Sequence, residues 1–176
     1  MPDTGEDIGG DQHPLKKVQR YIPGFRGYLQ KDDIRDADRM LRMQLSQKIS
    51  VARKNLEGAK ASIEEKGLMV DIFQIESALN SLKRMSSEIG YADSEYSWMT
   101  SNSNPVEDEV ERIYDYDAGL LDQMTLLQGI SSELSSAASD SDVATLERDS
   151  ADIHTRLAFI EDLFRKRMAV MNRTGF

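Results

Sequence analysis

The residues of this chain with chemistry to offer are two histidines, two acidic pairs at helical spacing, one misplaced aspartate and a basic-aromatic segment. A di-metal centre in a helical bundle needs inward glutamates and Glu-x-x-His pairs, so that carboxylate and imidazole share a face. Ala151 stands three residues before His154, and His13 lies in the N-terminal segment. His154 adjoins the core position Ile153 and reads as a boundary histidine bonded to a neighbouring helix. Asp108-x-x-Glu111 and Asp149-x-x-Asp152 have the i, i+3 spacing that sets two carboxylates on one face. Mg²⁺-dependent all-helical nucleotide pyrophosphatases use such pairs on facing helices to hold the metal that neutralises phosphates. A charged helix produces the same spacing readily, and Arg112 is the single base in residues 101–140 against nine acids. The preferred reading is a solvated acidic face, with metal-dependent nucleotide hydrolysis as an alternative.

Asp117 occupies a core position in the stripe Val110, Ile113, Asp117, Leu120, Met124. An unpaired buried carboxylate is costly, so it must be paired, protonated or displaced. The preferred expectation is that Gly119 lets the helix drift and turns Asp117 to water. The alternative is a bond to an Arg or Tyr of a neighbouring helix.

Residues 13–31 carry five bases and no acid. Lys16, Lys17, Arg20 and Arg26 interleave with Tyr21, Phe25 and Tyr28, a pattern that suits docking on an anionic membrane or an acidic partner. The preferred expectation is that this segment folds over the chain's own acidic end. Within it, Ile22-Pro23-Gly24-Phe25 is a turn, because Pro fixes φ and Gly accepts positive φ. The stretch Tyr21-Ile-Pro-Gly-Phe-Arg-Gly-Tyr28, followed by Arg35-x-Ala-Asp-Arg39-x-Leu-Arg42, resembles the start of an uncharacterised prokaryotic all-helical family. In that family a PGxxGY turn leads into a long charged helix. The resemblance covers residues 21–45 and implies that the turn is a built part of the fold; it brings no activity with it.

These groups must be positioned by helices. The chain has 176 residues, 39% apolar and 30% charged, a balance that suits long amphipathic helices with wide polar faces. Three of its four prolines fall in the first 23 residues, which leaves the rest free of breakers except at Pro105. Residues 1–12, with four acids and three glycines, predict a disordered tail; residues 13–30 predict an irregular lead-in. Helix A is predicted over about 31–66 through Ile34, Ala37, Leu41, Leu45, Ile49, Ala52, Leu56, Ala59 and Ile63, with Gly67 as its stop. Helix B is predicted over about 69–98, kinked near Gly90 and continuing through Ala92, Tyr96 and Met99. Helix C is predicted over about 105–138, with Asn104 as N-cap, Pro105 at N1 and Glu107 closing a capping box. Helix D is predicted over about 142–173, ending in Arg165, Lys166, Arg167 and Arg173, where the helix dipole favours cations.

Four helices with short connections predict an all-α, antiparallel up-down-up-down four-helix bundle. The competing arrangement is a hairpin pair that completes its core by dimerising. Bundle topology gathers the basic lead-in, the acidic start of helix C and the basic end of helix D at one end. Net charge of −9 disfavours nucleic acid. The absence of cysteine excludes disulfides, thiolate metal sites and a Cys nucleophile. No Gly-x-Ser-x-Gly, phosphate loop or dinucleotide fingerprint is present, and no cofactor is expected. The expectation is a cytoplasmic, non-enzymatic helical interaction or scaffold protein with a protein partner, a second copy included. Met40, Met43 and Val51, off the helix A stripe, suit a partner surface. A peripheral membrane adaptor using residues 13–31 is the next reading.

Overall fold

The computed structural model describes residues 13–91, Trp98 and residues 104–173. Among them are five α-helices and no strand: α1 (Pro14–Tyr21), α2 (Lys31–Lys66), α3 (Ile72–Tyr91), α4 (Glu107–Asp140) and α5 (Val143–Met171). The predicted tail 1–12 and the continuation of helix B through Ala92, Tyr96 and Met99 lie outside the described residues. No helix among the described residues is long and apolar enough to cross a membrane.

The four long helices close a circuit. α2 packs on α3 and on α4, α4 packs on α5, and α5 packs back on α3. α1 lies outside the circuit, against α4. A single chain thus encloses its own core, and the alternative of a hairpin pair completed by a second copy is not needed to bury it. Every residue of the helix A stripe is buried. So is the helix C stripe from Val110 to Met124, Asp117 included, and the buried face continues through Leu127, Ser131 and Leu134. Stripes at three-and-four spacing meet in the middle because each presents one apolar face, and burial of that face drives the packing.

The ends of the elements correct several expectations. The lead-in is not irregular throughout. Pro14 opens α1 with its fixed φ, the His13 Nδ1 accepts the Leu15 N–H at 3.3 Å, and Val18 and Ile22 are buried. Eight residues are too few for periodicity to register in the sequence, and packing on α4 supplies what propensity does not. α3 starts at Ile72 rather than 69, because the Asp71 carboxylate accepts the Phe73 N–H at 3.0 Å and caps it there. α4 starts at Glu107, with Val106 as N-cap in place of Asn104. The Glu109 carboxylate reaches back to the Val106 N–H at 3.1 Å, so the capping acid is Glu109 and not Glu107. α4 runs on to Asp140, and α5 stops at Met171, short of Arg173.

One stop falls where expected. Gly67 takes the left-handed conformation (φ 62°), and the Leu68 N–H bonds the Ile63 carbonyl at 3.1 Å. Asp142 caps α5 by accepting the Thr145 N–H at 3.2 Å. Between helices, Lys66 Nζ donates to the terminal carbonyls of Ala138 (3.1 Å) and Ser139, so the end of α2 caps the end of α4.

Candidate functional site

Four fully buried polar side chains converge at the end of the circuit where α2 begins and α5 ends. They are Tyr28 from the link before α2, Asp38 from the second turn of α2, Asp117 from α4 and Arg167 from α5. Arg167 sits at the centre. Its Nε donates to Asp117 Oδ1 at 2.6 Å. Its Nη2 donates to Asp38 Oδ1 at 2.9 Å and to the Tyr28 hydroxyl oxygen at 3.1 Å. The Tyr28 hydroxyl in turn donates to Asp117 Oδ2. Arg42, one turn beyond Asp38, donates from Nε to Asp38 Oδ2 at 2.8 Å and from Nη1 to the Ile89 carbonyl at 3.3 Å. Two guanidinium groups thus face two carboxylates, and all four carboxylate oxygens accept at least one charge-assisted bond.

Burial holds the Asp117 carboxyl above the ordinary carboxylate range, and the charge of Arg167 with the bonds from Tyr28 and Arg167 draws it part of the way back. Burial, then the Asp117 charge, hold the Tyr28 phenol well above its usual value. Both effects fit a site closed to water.

Aromatic rings wall the cluster. The Tyr28 ring lies 5.6 Å from Phe25, 5.9 Å from Trp98 and 5.6 Å from Tyr114, the first two edge to face. The Tyr114 hydroxyl also accepts the Tyr28 N–H at 3.1 Å. Gly27 makes that approach possible. Its φ is +89°, and a Cβ there would stand 2.1 Å from the Tyr114 hydroxyl oxygen.

Asp117 is therefore buried, and the expectation that it turns to water is wrong. The structure takes the alternative: it pairs with an Arg of a neighbouring helix and a Tyr of the lead-in. Gly119 does not displace the helix; it packs close to Leu163. Arg167 and Asp38 were not singled out in the sequence. A signal existed for Arg167, since Leu157, Ile160, Phe164, Arg167 and Met171 step in threes and fours. Its neighbours Arg165 and Lys166 make it read as one more C-terminal cation. Asp38 gave less: it follows the stripe residue Ala37 and reads as an ordinary acid near a helix start.

The lead-in docks on its own bundle. The Tyr21 hydroxyl donates to Asp122 Oδ1 at 2.7 Å, and Lys48 Nζ stands 5.4 Å above the Tyr21 ring. His13 Nε2 lies 3.1 Å from Glu111 Oε2. The Gln19 amide donates to the Phe25 carbonyl at 3.0 Å and closes the turn. Of the seven predicted docking residues, Phe25 and Tyr28 are buried and Tyr21 is half-buried. Lys16, Arg20 and Arg26 are exposed, and Lys17 is half-buried.

The four predicted metal acids do not come together. α4 and α5 pair in opposite senses, with Glu109 on Arg173 (3.3 Å), Asp117 on Arg167 and Gln123 on Arg156 (3.2 Å). That register sets Asp149 and Asp152 beside residues near 130, about 25–35 Å along the axis from Asp108 and Glu111 at ~1.5 Å per residue. Asp149 is bonded by Arg148 at 2.9 Å, Asp152 lies 3.2 Å from Arg156, and Asp108 is exposed. One ion cannot take both pairs. Among the described residues no group of three or more acidic or histidine side chains is arranged to hold a metal. Comparison with family models, with curated proteins and with solved structures finds no match for this chain.

Proposed function

We propose that this chain is a non-enzymatic helical interaction protein of the cytoplasm, built as an up-down-up-down bundle of α2–α5 with residues 13–30 clasped over one end. The observation that carries this reading is the closed cluster. All four of its carboxylate oxygens are engaged by Arg167, Arg42 or Tyr28 inside a site closed to water, which leaves them no opening toward a substrate or an ion. The residues most able to do chemistry are engaged in holding helices together.

Cross-helix pairs support the topology. Lys60–Glu76 (2.8 Å) and Arg42–Ile89 run in opposite senses along α2 and α3. Asn55–Ser131 (3.0 Å) and Lys66–Ala138 run in the same sense along α2 and α4. Exposed apolar side chains, Met43 and Val51 on α2 and Phe159 on α5 among them, supply contact area that the core does not use. The membrane reading is less well supported, because the aromatic half of the lead-in is buried in the chain's own core.

The test is photo-crosslinking in the native host, with a benzophenone amino acid at Met43, Val51, Phe73 or Phe159, beside a hydrolysis assay with Mg²⁺ or Mn²⁺ and nucleoside triphosphates. Discrete protein adducts that depend on position are expected, together with background hydrolysis. Metal-dependent hydrolysis that disappears in Asp108→Asn or Asp149→Asn would overturn the proposal. So would flotation with anionic vesicles that is lost when residues 1–31 are removed.

A further inference from the structure

Opposite the clasp, the link from α2 to α3 and the first turn of α3 carry the two most exposed large apolar side chains among the described residues, Met69 at 90% and Phe73 at 70%. Leu68, Val70 and Ile72 pack inward against the core, so the fold has already taken what it needs from this segment. Single exposed apolar residues are ordinary, but these two are the sequence neighbours of Val70, Asp71 and Gln74, which line a recess. A cavity of about 220 Å³ opens between Val70, Asp71 and Gln74 on one side and Glu147 and Ser150 on the other. The Ser150 hydroxyl is spent on the Leu146 carbonyl at 2.6 Å, which leaves Asp71 and Glu147 as the charged groups of the recess.

Charge at this end is one-sided. Residues 60–76 and 136–150 together hold eight acids and three bases. All three bases are engaged: Lys60 on Glu76 at 2.8 Å, Lys66 on the α4 carbonyls and Arg148 on Asp149 at 2.9 Å. An apolar pair in an acidic surround repels anionic lipid and nucleic acid alike. It complements a helix with an apolar stripe and basic flanks, the apolar side chains meeting Met69 and Phe73 and one Lys or Arg entering the recess between Asp71 and Glu147.

We propose that residues 68–74, with Glu147, form the docking site for a basic amphipathic helix of a protein partner. This rests on the interaction reading above and names the surface and the partner chemistry. The test is fluorescence anisotropy of the full chain with two labelled amphipathic peptides, one of leucine and lysine, one of leucine and glutamate. The leucine–lysine peptide is expected to bind at least about tenfold more tightly than the other, and Met69→Ser with Phe73→Ser to weaken it by about tenfold or more. Asp71→Asn with Glu147→Gln, which keeps an acceptor for the Phe73 N–H, is expected to weaken binding and flatten its salt dependence. Glu107→Gln with Asp108→Gln, at the other end, is expected to change nothing. Unchanged unfolding temperatures show that each variant is folded.

Equal binding of the two peptides, or indifference to Met69→Ser with Phe73→Ser, overturns the proposal. Flotation with anionic vesicles that this double variant abolishes overturns it in favour of a membrane. If crosslinks at Met43, Val51 or Phe159 capture partners while the peptide ignores residues 69 and 73, this surface falls and the interaction reading stands. No adducts and no peptide binding sink both.

Discussion

Arg167 is one side chain on which three distant stretches of chain depend. Removing either it or Asp117 leaves a buried charge without its partner, and such losses cost about 3–5 kcal/mol. Arg167→Met and Asp117→Leu should each lower the unfolding temperature sharply, while the double variant should cost clearly less than the sum. Denaturant melts of the four chains of that cycle measure the coupling; strict additivity would mean the pair is not energetically linked. Titration gives a second test, with the sign set by environment. Burial raises the Asp117 carboxyl, so the folded chain binds that proton more tightly than the unfolded one. Its contribution to stability is full below the unfolded value and lost as pH rises through the folded value. Asp142 has the opposite sign: bonds from Thr145 hold it below the ordinary value, so its contribution is present above that value and lost as pH falls. Asp142→Asn should therefore flatten the acid side of a plot of unfolding temperature against pH, below about pH 4. Asp117→Asn should not flatten it. At this scale the sequence was legible only in part. Asp117 stood out because it broke an apolar stripe, yet its partners lie 50 and 89 residues away, and spacing along a helix says nothing of what faces it.

Among the elements, the long helices were legible because burial imposes a period that a sequence displays directly. The helix A stripe survives residue for residue. Short elements were not legible. α1 and the turn after it are held by Tyr21 on Asp122, His13 on Glu111 and Tyr28 on Tyr114, all contacts across about a hundred residues. Helix starts moved for a related reason. Propensity favours Asn104 as N-cap over Val106, which has no side-chain acceptor, and the fold overrides that preference where Glu109 reaches back to the Val106 N–H. Gly27 is the element-scale residue most exposed to test. Gly27→Ala should cost at least about 2 kcal/mol, because Ala resists φ near +89° and its methyl meets the Tyr114 hydroxyl. Pairing it with Tyr114→Phe, which removes the obstructing oxygen, should recover part of the loss in thermal melts. No recovery would assign the whole effect to backbone conformation.

For the molecule as a whole, the gathering of basic lead-in, acidic helix start and basic helix end at one pole followed from connectivity, and the paired residues there realise it. What connectivity did not reveal is that buried ion pairs fill the inside of this pole and that the acidic opposite pole exposes Met69 and Phe73. Deleting residues 13–30 should lower the unfolding temperature and raise binding of a hydrophobic dye, since Asp117 and Arg167 then meet water and the slots of Phe25 and Tyr28 stand empty. A truncated chain as stable as the full one would demote the clasp to decoration. The cluster has one more consequence, for synthesis. Asp38 and Asp117 leave the ribosome well before Arg167, which lies 129 residues after the first of them. Until that arginine emerges, Asp117 lacks the cation that makes its burial tolerable and Asp38 has Arg42 alone, so burying them is unfavourable. A nascent chain cut short before α5 is complete keeps its pole open to water and to proteases. Closure of this pole therefore waits on α5.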